Sequence, residues 1–124
     1  MAKLHFKYGA MNSGKSDTLI KTAYNYKERG LKILVIKPKV DTKSERTVVA
    51  RGGHSCQVDI LADLDTDLLT AIRSYEHIAC VLVDESQFLT EKQISELYQV
   101  AKIDNISVIC FGLRADFQAK LFPG

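Results

Sequence analysis

Residues 9–16 read GAMNSGKS. Every fixed position of G-x-x-x-x-G-K-[ST] is filled, and each has a physical purpose. Gly9 and Gly14 let the backbone turn tightly and approach an anion closely. The amides of Gly9, Ala10, Met11, Asn12, Ser13 and Gly14, with the N-terminus of a following helix, would then point at phosphate oxygens. Lys15 supplies a compact positive charge for the terminal phosphates, and Ser16 offers a hydroxyl oxygen to Mg²⁺. A glycine-rich turn before a helix is the plain alternative. A strand-like segment before the motif and a helical pattern after it favour nucleotide binding.

A phosphate loop needs a carboxylate to order the metal. The run IACVLVDE, residues 78–85, ends in Asp84 and Glu85. An Asp at the carboxyl end of a buried strand sits at the ligand edge of a sheet, which makes Asp84 the candidate Mg²⁺ partner. Strand alternation would aim Glu85 differently from Asp84. A carboxylate beside an attacking hydroxyl can take its proton, so Glu85 is the candidate general base. The Asp-Glu spelling alone leaves open whether the acceptor is water or an alcohol.

These groups must be held by regular elements. Lys32 to Ile36 (KILVI), Ile78 to Val83 and Ile106 to Phe111 (ISVICF) are continuous apolar runs rich in Val and Ile. Such runs read as strands covered on both faces, as in a parallel sheet. Leu4 to Tyr8 is a weaker fourth strand. Ser16 to Arg29 reads as a helix stopped by Gly30. Asp67 to Tyr75 sets Leu68, Leu69, Ile72 and Tyr75 on one helical face. Thr90 to Ala101 opens with TEKQ, a capping box, and spaces Ile94, Leu97, Tyr98 and Ala101 along one face. Strands alternating with helices predict an α/β fold with a mostly parallel sheet. Pro38 to about Leu61 reads as a long loop with one short strand at Cys56 to Ile60, and Gly52-Gly53-His54 as a surface turn.

Composition sets bounds. The chain has 124 residues, 46% of them hydrophobic, and a formal net charge of +2. That suits one domain with one sizeable core. So small a charge argues against nucleic acid and membrane surfaces as partners. The opening residues MAKLHFKY hold too short an apolar run for a signal peptide, which leaves the cytoplasm as the expected compartment. Cys56, Cys80 and Cys110 have no paired spacing, so neither a disulfide framework nor a zinc knuckle is expected.

GAMNSGKS, AYNYKERG (residues 23–30), VLVDESQFL (81–89) and FGLRADFQAKLF (111–122) together resemble the type II thymidine kinases, the compact bacterial and animal-cytosolic class. The likeness runs along nearly the whole chain and is weakest between Pro38 and Asp65. It implies a RecA-like P-loop fold. It also implies that ATP donates its γ-phosphoryl to the 5′-hydroxyl of deoxythymidine, giving thymidine monophosphate for salvage. By the same likeness, Glu85 is the base and Asp84 the metal-side carboxylate. Gln87 joins the ATP-side set with a supporting polar role near Glu85. Met11, Phe88, Leu113, Phe117 and Phe122 form an apolar nucleoside pocket, and a homotetramer is expected. Asp41-Thr42-Lys43 stands where the family usually writes D-T-R, and Lys lacks the planar fork of Arg. Arg114 reads as solvated. The family continues past this point with a structural Zn²⁺ site and a lasso loop. The expectation is therefore a P-loop domain over 1–124 without those parts, with Zn²⁺ only where they exist. Two other readings compete: a RecA-like ATPase acting on water, and a remnant that binds nucleotide without transferring phosphate.

Overall fold

The computed structural model describes residues 4–8, 15–39, 47–49 and 55–112. Seven strands and three α-helices lie along them. In chain order they are β1 (Leu4–Tyr8), α1 (Lys15–Glu28), β2 (Lys32–Pro38), β3 (Thr47–Val49), β4 (Ser55–Gln57), β5 (Ile60–Ala62), α2 (Leu68–Arg73), β6 (Ile78–Val83), α3 (Glu91–Lys102) and β7 (Ser107–Gly112). The main sheet has the order β1-β7-β6-β2-β5, and every neighbouring pair is parallel. β3 and β4 form a separate antiparallel pair. The expected α/β architecture with a parallel sheet is what the chain adopts.

The unbroken apolar runs now have their cause. Leu34 and Ile36 of β2 pack with Val81 and Val83 of β6 against Leu68 and Ile72 of α2 and Ile94, Leu97 and Val100 of α3. Ile33, Val35, Cys80 and Leu82 face the opposite way, toward Leu19, Ile20 and Ala23 of α1 and Cys56 and Val58 of the hairpin side. Helices cover both faces, so both sets of alternate residues must be apolar. Cys80 and Cys110 are fully buried members of this core, as their apolar settings predict.

Local signals place the element ends. Gly30 has φ +73°. Its amide donates to the Lys27 carbonyl at 3.0 Å, and the Leu31 amide donates to the Tyr26 carbonyl at 2.9 Å. That is the Schellman pattern, which only glycine adopts without strain. At the start of α3, the Gln93 amide donates to Thr90 Oγ1 at 3.1 Å and the Thr90 amide donates to Gln93 Oε1 at 3.0 Å. The capping box is complete.

Three expectations need correction. The single strand at Cys56 to Ile60 is two strands in different sheets. Asp59 divides them: its amide donates to the Val35 carbonyl and its Oδ2 accepts from the Val35 amide, both at 2.8 Å. Both backbone groups of Val35 are thereby satisfied before β5 begins its ladder. Tyr98 is 52% exposed, and Val100 takes the buried position. The Lys102 ammonium lies 5.6 Å from the Tyr98 ring, so that ring is solvated on its polar side. Tyr75 falls past the end of α2 and is also exposed, with the Lys32 ammonium 5.9 Å from its ring.

These two faces of α3 should respond differently to truncation. Leu97→Ala is expected to lower unfolding free energy by about 2–5 kcal/mol. Tyr98→Ala is expected to cost roughly 0.5 kcal/mol or less. Urea denaturation of the two variants checks the assignment.

Candidate functional site

All five strands of the main sheet run the same way, so their carboxyl ends share one edge. Among the described residues, that edge carries Asp84, Glu85 and Phe88, which follow β6. β1 leads into residues 9–14, and α1 begins at Lys15, followed by Ser16. β6 ends one residue before Asp84, which is 4% exposed. β7 lies between β1 and β6. At a strand spacing of about 4.8 Å, the end of β1 and Asp84 stand about 10 Å apart, a gap suited to a metal-bound phosphate chain. Residues 9–14 themselves, with Met11, lie outside the described residues. So do Asp41, Leu113, Arg114, Phe117 and Phe122.

Glu85 departs from the expected strand alternation. It has φ 52° and ψ 39° and opens a single 3₁₀ turn, Ser86–Phe88. Its direction is therefore set by the turn, not by the pleat of β6. Left-handed backbone costs a non-glycine residue about 1–3 kcal/mol and persists only where its neighbours fix it. Here they do. The Asp84 amide donates to the Ile36 carbonyl of β2 at 2.8 Å. Ser86 is fully buried, and its Oγ donates to the Phe111 carbonyl of β7 at 2.8 Å. The Phe88 amide closes the turn on the Glu85 carbonyl at 3.1 Å, and Leu89 is buried in the core just beyond. The signature DESQFL thus has structural letters as well as chemical ones. The role of Ser86 was not legible from the sequence, because a lone serine carries no pattern. Gln87 lies within the turn.

On the side of Asp84 away from β1, a cavity of about 280 Å³ opens at the carboxyl ends of β2 and β5. Its walls are Pro38, Lys39, Ala62, Asp63, Leu64, Phe88 and Gln93. Phe88 is 48% exposed, so a ring face is available to a planar group. Of the five residues expected to form an apolar pocket, Phe88 alone is within the described residues. Of the other walls, Pro38 and Lys39 open the segment read as a long loop, Ala62, Asp63 and Leu64 follow it, and Gln93 belongs to the capping box of α3.

The buried polar residues among those described are Asp84, Ser86, Gln93 and Glu96, all within one short stretch. Gln93 Nε2 donates to the carbonyls of Asp63 and Thr66 at 2.8 and 3.1 Å. One turn later, Glu96 Oε1 accepts from the Leu68 amide at 3.3 Å. Burial pushes the Glu96 carboxyl above its ordinary 4.5, and a hydrogen bond to Asp67 raises it further. Asp67, the N-cap of α2, is held below 3.8 by the Thr70 amide and by that bond from Glu96. Lys92 draws both carboxyls down. The thiols of Cys56, Cys80 and Cys110 are all pushed up by burial, which removes them as thiolate nucleophiles. The described part of the site therefore works with carboxylates and oxygen donors.

A phosphate-loop spelling between the first strand and helix, and an Asp ending the strand two places away, mark the P-loop α/β class. The sequence model of the thymidine kinase family matches residues 2–124. The chain is 44% identical over 128 residues to a thymidine kinase of Shewanella oneidensis. It is 46% identical over 129 residues to one of Yersinia pestis. It is 44% identical over 128 residues to one of phage T4. Each match takes in 100% of this chain and 65–66% of the relative's length. The chain belongs to the thymidine kinase family and spans a little under two thirds of the length of these relatives.

The carboxyl pair predicts a pH dependence. Glu96 holds its proton more tightly folded than unfolded. Its contribution is full below 4.5 and is lost as pH rises through the raised folded value. Asp67 contributes in the opposite window, above 3.8, and loses its share as pH falls. Glu96→Gln keeps an acceptor for the Leu68 amide and a donor toward Asp67 at every pH. Its melting temperature relative to wild type should therefore climb as pH rises above 4.5 and level off once Glu96 has lost its proton in the folded state. A flat difference across that range would contradict the shared proton.

Proposed function

We propose that this chain carries the phosphoryl-transfer machinery of a thymidine kinase, moving the γ-phosphoryl of ATP to the 5′-hydroxyl of deoxythymidine. One observation carries the reading: Glu85 is fixed in a left-handed turn between the phosphate-loop side of the sheet and the cavity at Phe88. A base placed between donor and acceptor serves transfer to an alcohol better than a base facing bulk water.

The residues divide the work. Amides of Gly9, Ala10, Met11, Asn12, Ser13 and Gly14 cradle the phosphates, and Lys15 neutralises their terminal oxygens. The donor set fits Mg²⁺: Ser16 supplies a hydroxyl at the first turn of α1, and Asp84 a buried carboxylate at the end of β6. Mg²⁺ takes hard oxygens and needs only one or two carboxylates beside phosphate and water. Held by Ser16 and Asp84, it would offset the charge that develops on the phosphate oxygens. Glu85 accepts the proton of the 5′-hydroxyl as its oxygen attacks phosphorus in line with the leaving ADP oxygen. Gln87 supports Glu85 from the same turn. Phe88 stacks on the pyrimidine, with Met11, Leu113, Phe117 and Phe122 completing the apolar enclosure. No helix among the described residues is long and apolar enough to cross a membrane. A cytoplasmic homotetramer is the assembly this reading expects of the family.

The test is thymidine monophosphate formation from deoxythymidine and Mg-ATP. Glu85→Ala should lower the rate by at least about 100-fold while Mg-ATP still binds. ATP hydrolysis without a nucleoside, stimulated by a polynucleotide, would instead establish a motor. Tight Mg-ATP binding with no product from any nucleoside would establish a non-transferring remnant.

A further inference from the structure

We propose that Gln93 is a positioning residue for the nucleoside: its carboxamide fixes the wall of the cavity that faces Phe88. The inference rests on the kinase reading above and deepens it, because no sequence motif of the site includes Gln93.

Asp63 and Leu64 belong to the connection between β5 and α2, and Leu64 is 72% exposed. Little apolar packing holds that stretch. Its own polar contacts are local: the Asp65 amide donates to Asp63 Oδ1, and the Asp63 amide donates to Thr66 Oγ1, each at 3.0 Å. Such contacts shape the turn without fixing where it sits. Gln93 does fix it. The residue is 1% exposed, and one amide nitrogen reaches two carbonyls, those of Asp63 and Thr66. Its Oε1 meanwhile accepts from Thr90 at the start of α3. Three of the four hydrogen bonds available to a carboxamide are therefore committed, across a gap in sequence of nearly thirty residues.

The other end of this tie is the chemistry. Thr90 follows Leu89, which anchors the turn that carries Glu85 and Phe88. One side chain thus couples the wall at Asp63 and Leu64 to the turn that bears the candidate base. Without it, the Asp63 carbonyl keeps only the local Thr66 amide at 3.2 Å, the Thr66 carbonyl loses the Gln93 bond, and the wall can move away from Phe88. A ligand that stacks on Phe88 would then lose its second side, whereas the phosphate loop on the far side of β6 would be untouched.

The experiment is a kinetic comparison in the full chain. Gln93→Met keeps the length of the side chain and removes all three bonds. The KM for deoxythymidine should rise about tenfold, while the KM for Mg-ATP stays at the wild-type value. Calorimetric titration with deoxythymidine should show the same weakening. If Gln93→Met does not fold, Gln93→Glu supplies the comparison. It keeps the acceptor for the Thr90 amide and sets an oxygen against the two carbonyls. An unchanged KM for deoxythymidine would overturn the inference and leave the kinase reading intact. Equal rises in both KM values would mean a general loss of structure and would also overturn it. A wild-type chain that neither binds nor phosphorylates deoxythymidine would overturn both.

Discussion

A base that must meet one hydroxyl cannot sit on a freely turning loop. In this chain that constraint falls on Glu85, the proposed base, held at φ 52°. The left-handed backbone works against the turn by about 1–3 kcal/mol. Two hydrogen bonds at 2.8 Å, from Asp84 to β2 and from Ser86 to β7, contribute about 1 kcal/mol each. Burial of Leu89 adds about 2 kcal/mol. The supports exceed the strain, and they come from the two strands on either side of β6. The turn is as well placed as the sheet itself.

The parallel sheet converts that local fixation into a division of labour. With all carboxyl ends on one edge, position along the edge decides function. The phosphate loop leaves β1, two strands from Asp84 on one side. The Phe88 cavity lies at β2 and β5, up to two strands away on the other. The end of β1 is about 10 Å from the central carboxylates, and the cavity lies one to two strand spacings away, about 5–10 Å. The concentration of buried polar residues between Asp84 and Glu96 follows from this arrangement. It is the stretch where core packing and site geometry have to be satisfied by the same residues.

Much of this was legible in the sequence, and for identifiable reasons. Strands buried on both faces leave unbroken apolar runs, so β2, β6 and β7 stood out. Gly30 and the TEKQ box announced their helix ends because capping uses few residue types. Asp84 and Glu85 were legible as candidates because they end a strand after a phosphate-loop spelling. What stayed hidden depends on contacts between distant segments. Asp59 separates β4 from β5 by bonding to Val35, and no local pattern encodes that partner. Tyr98 fits a helical face by spacing, yet it packs with Lys102 at the surface. Gln93 was readable as a cap, but its reach to Asp63 and Thr66 was not. Ser86 likewise shows its purpose only against Phe111.

Glu85 is proposed to stand between a phosphate donor and a nucleoside acceptor. The most direct measurement is a crystal structure of the chain with deoxythymidine and the Mg²⁺ complex of a non-hydrolysable ATP analogue. The 5′-oxygen should lie within about 2.6–3.2 Å of a Glu85 carboxylate oxygen, with the pyrimidine against Phe88. A nucleoside bound elsewhere, with Glu85 holding only water beside the terminal phosphate, would contradict it.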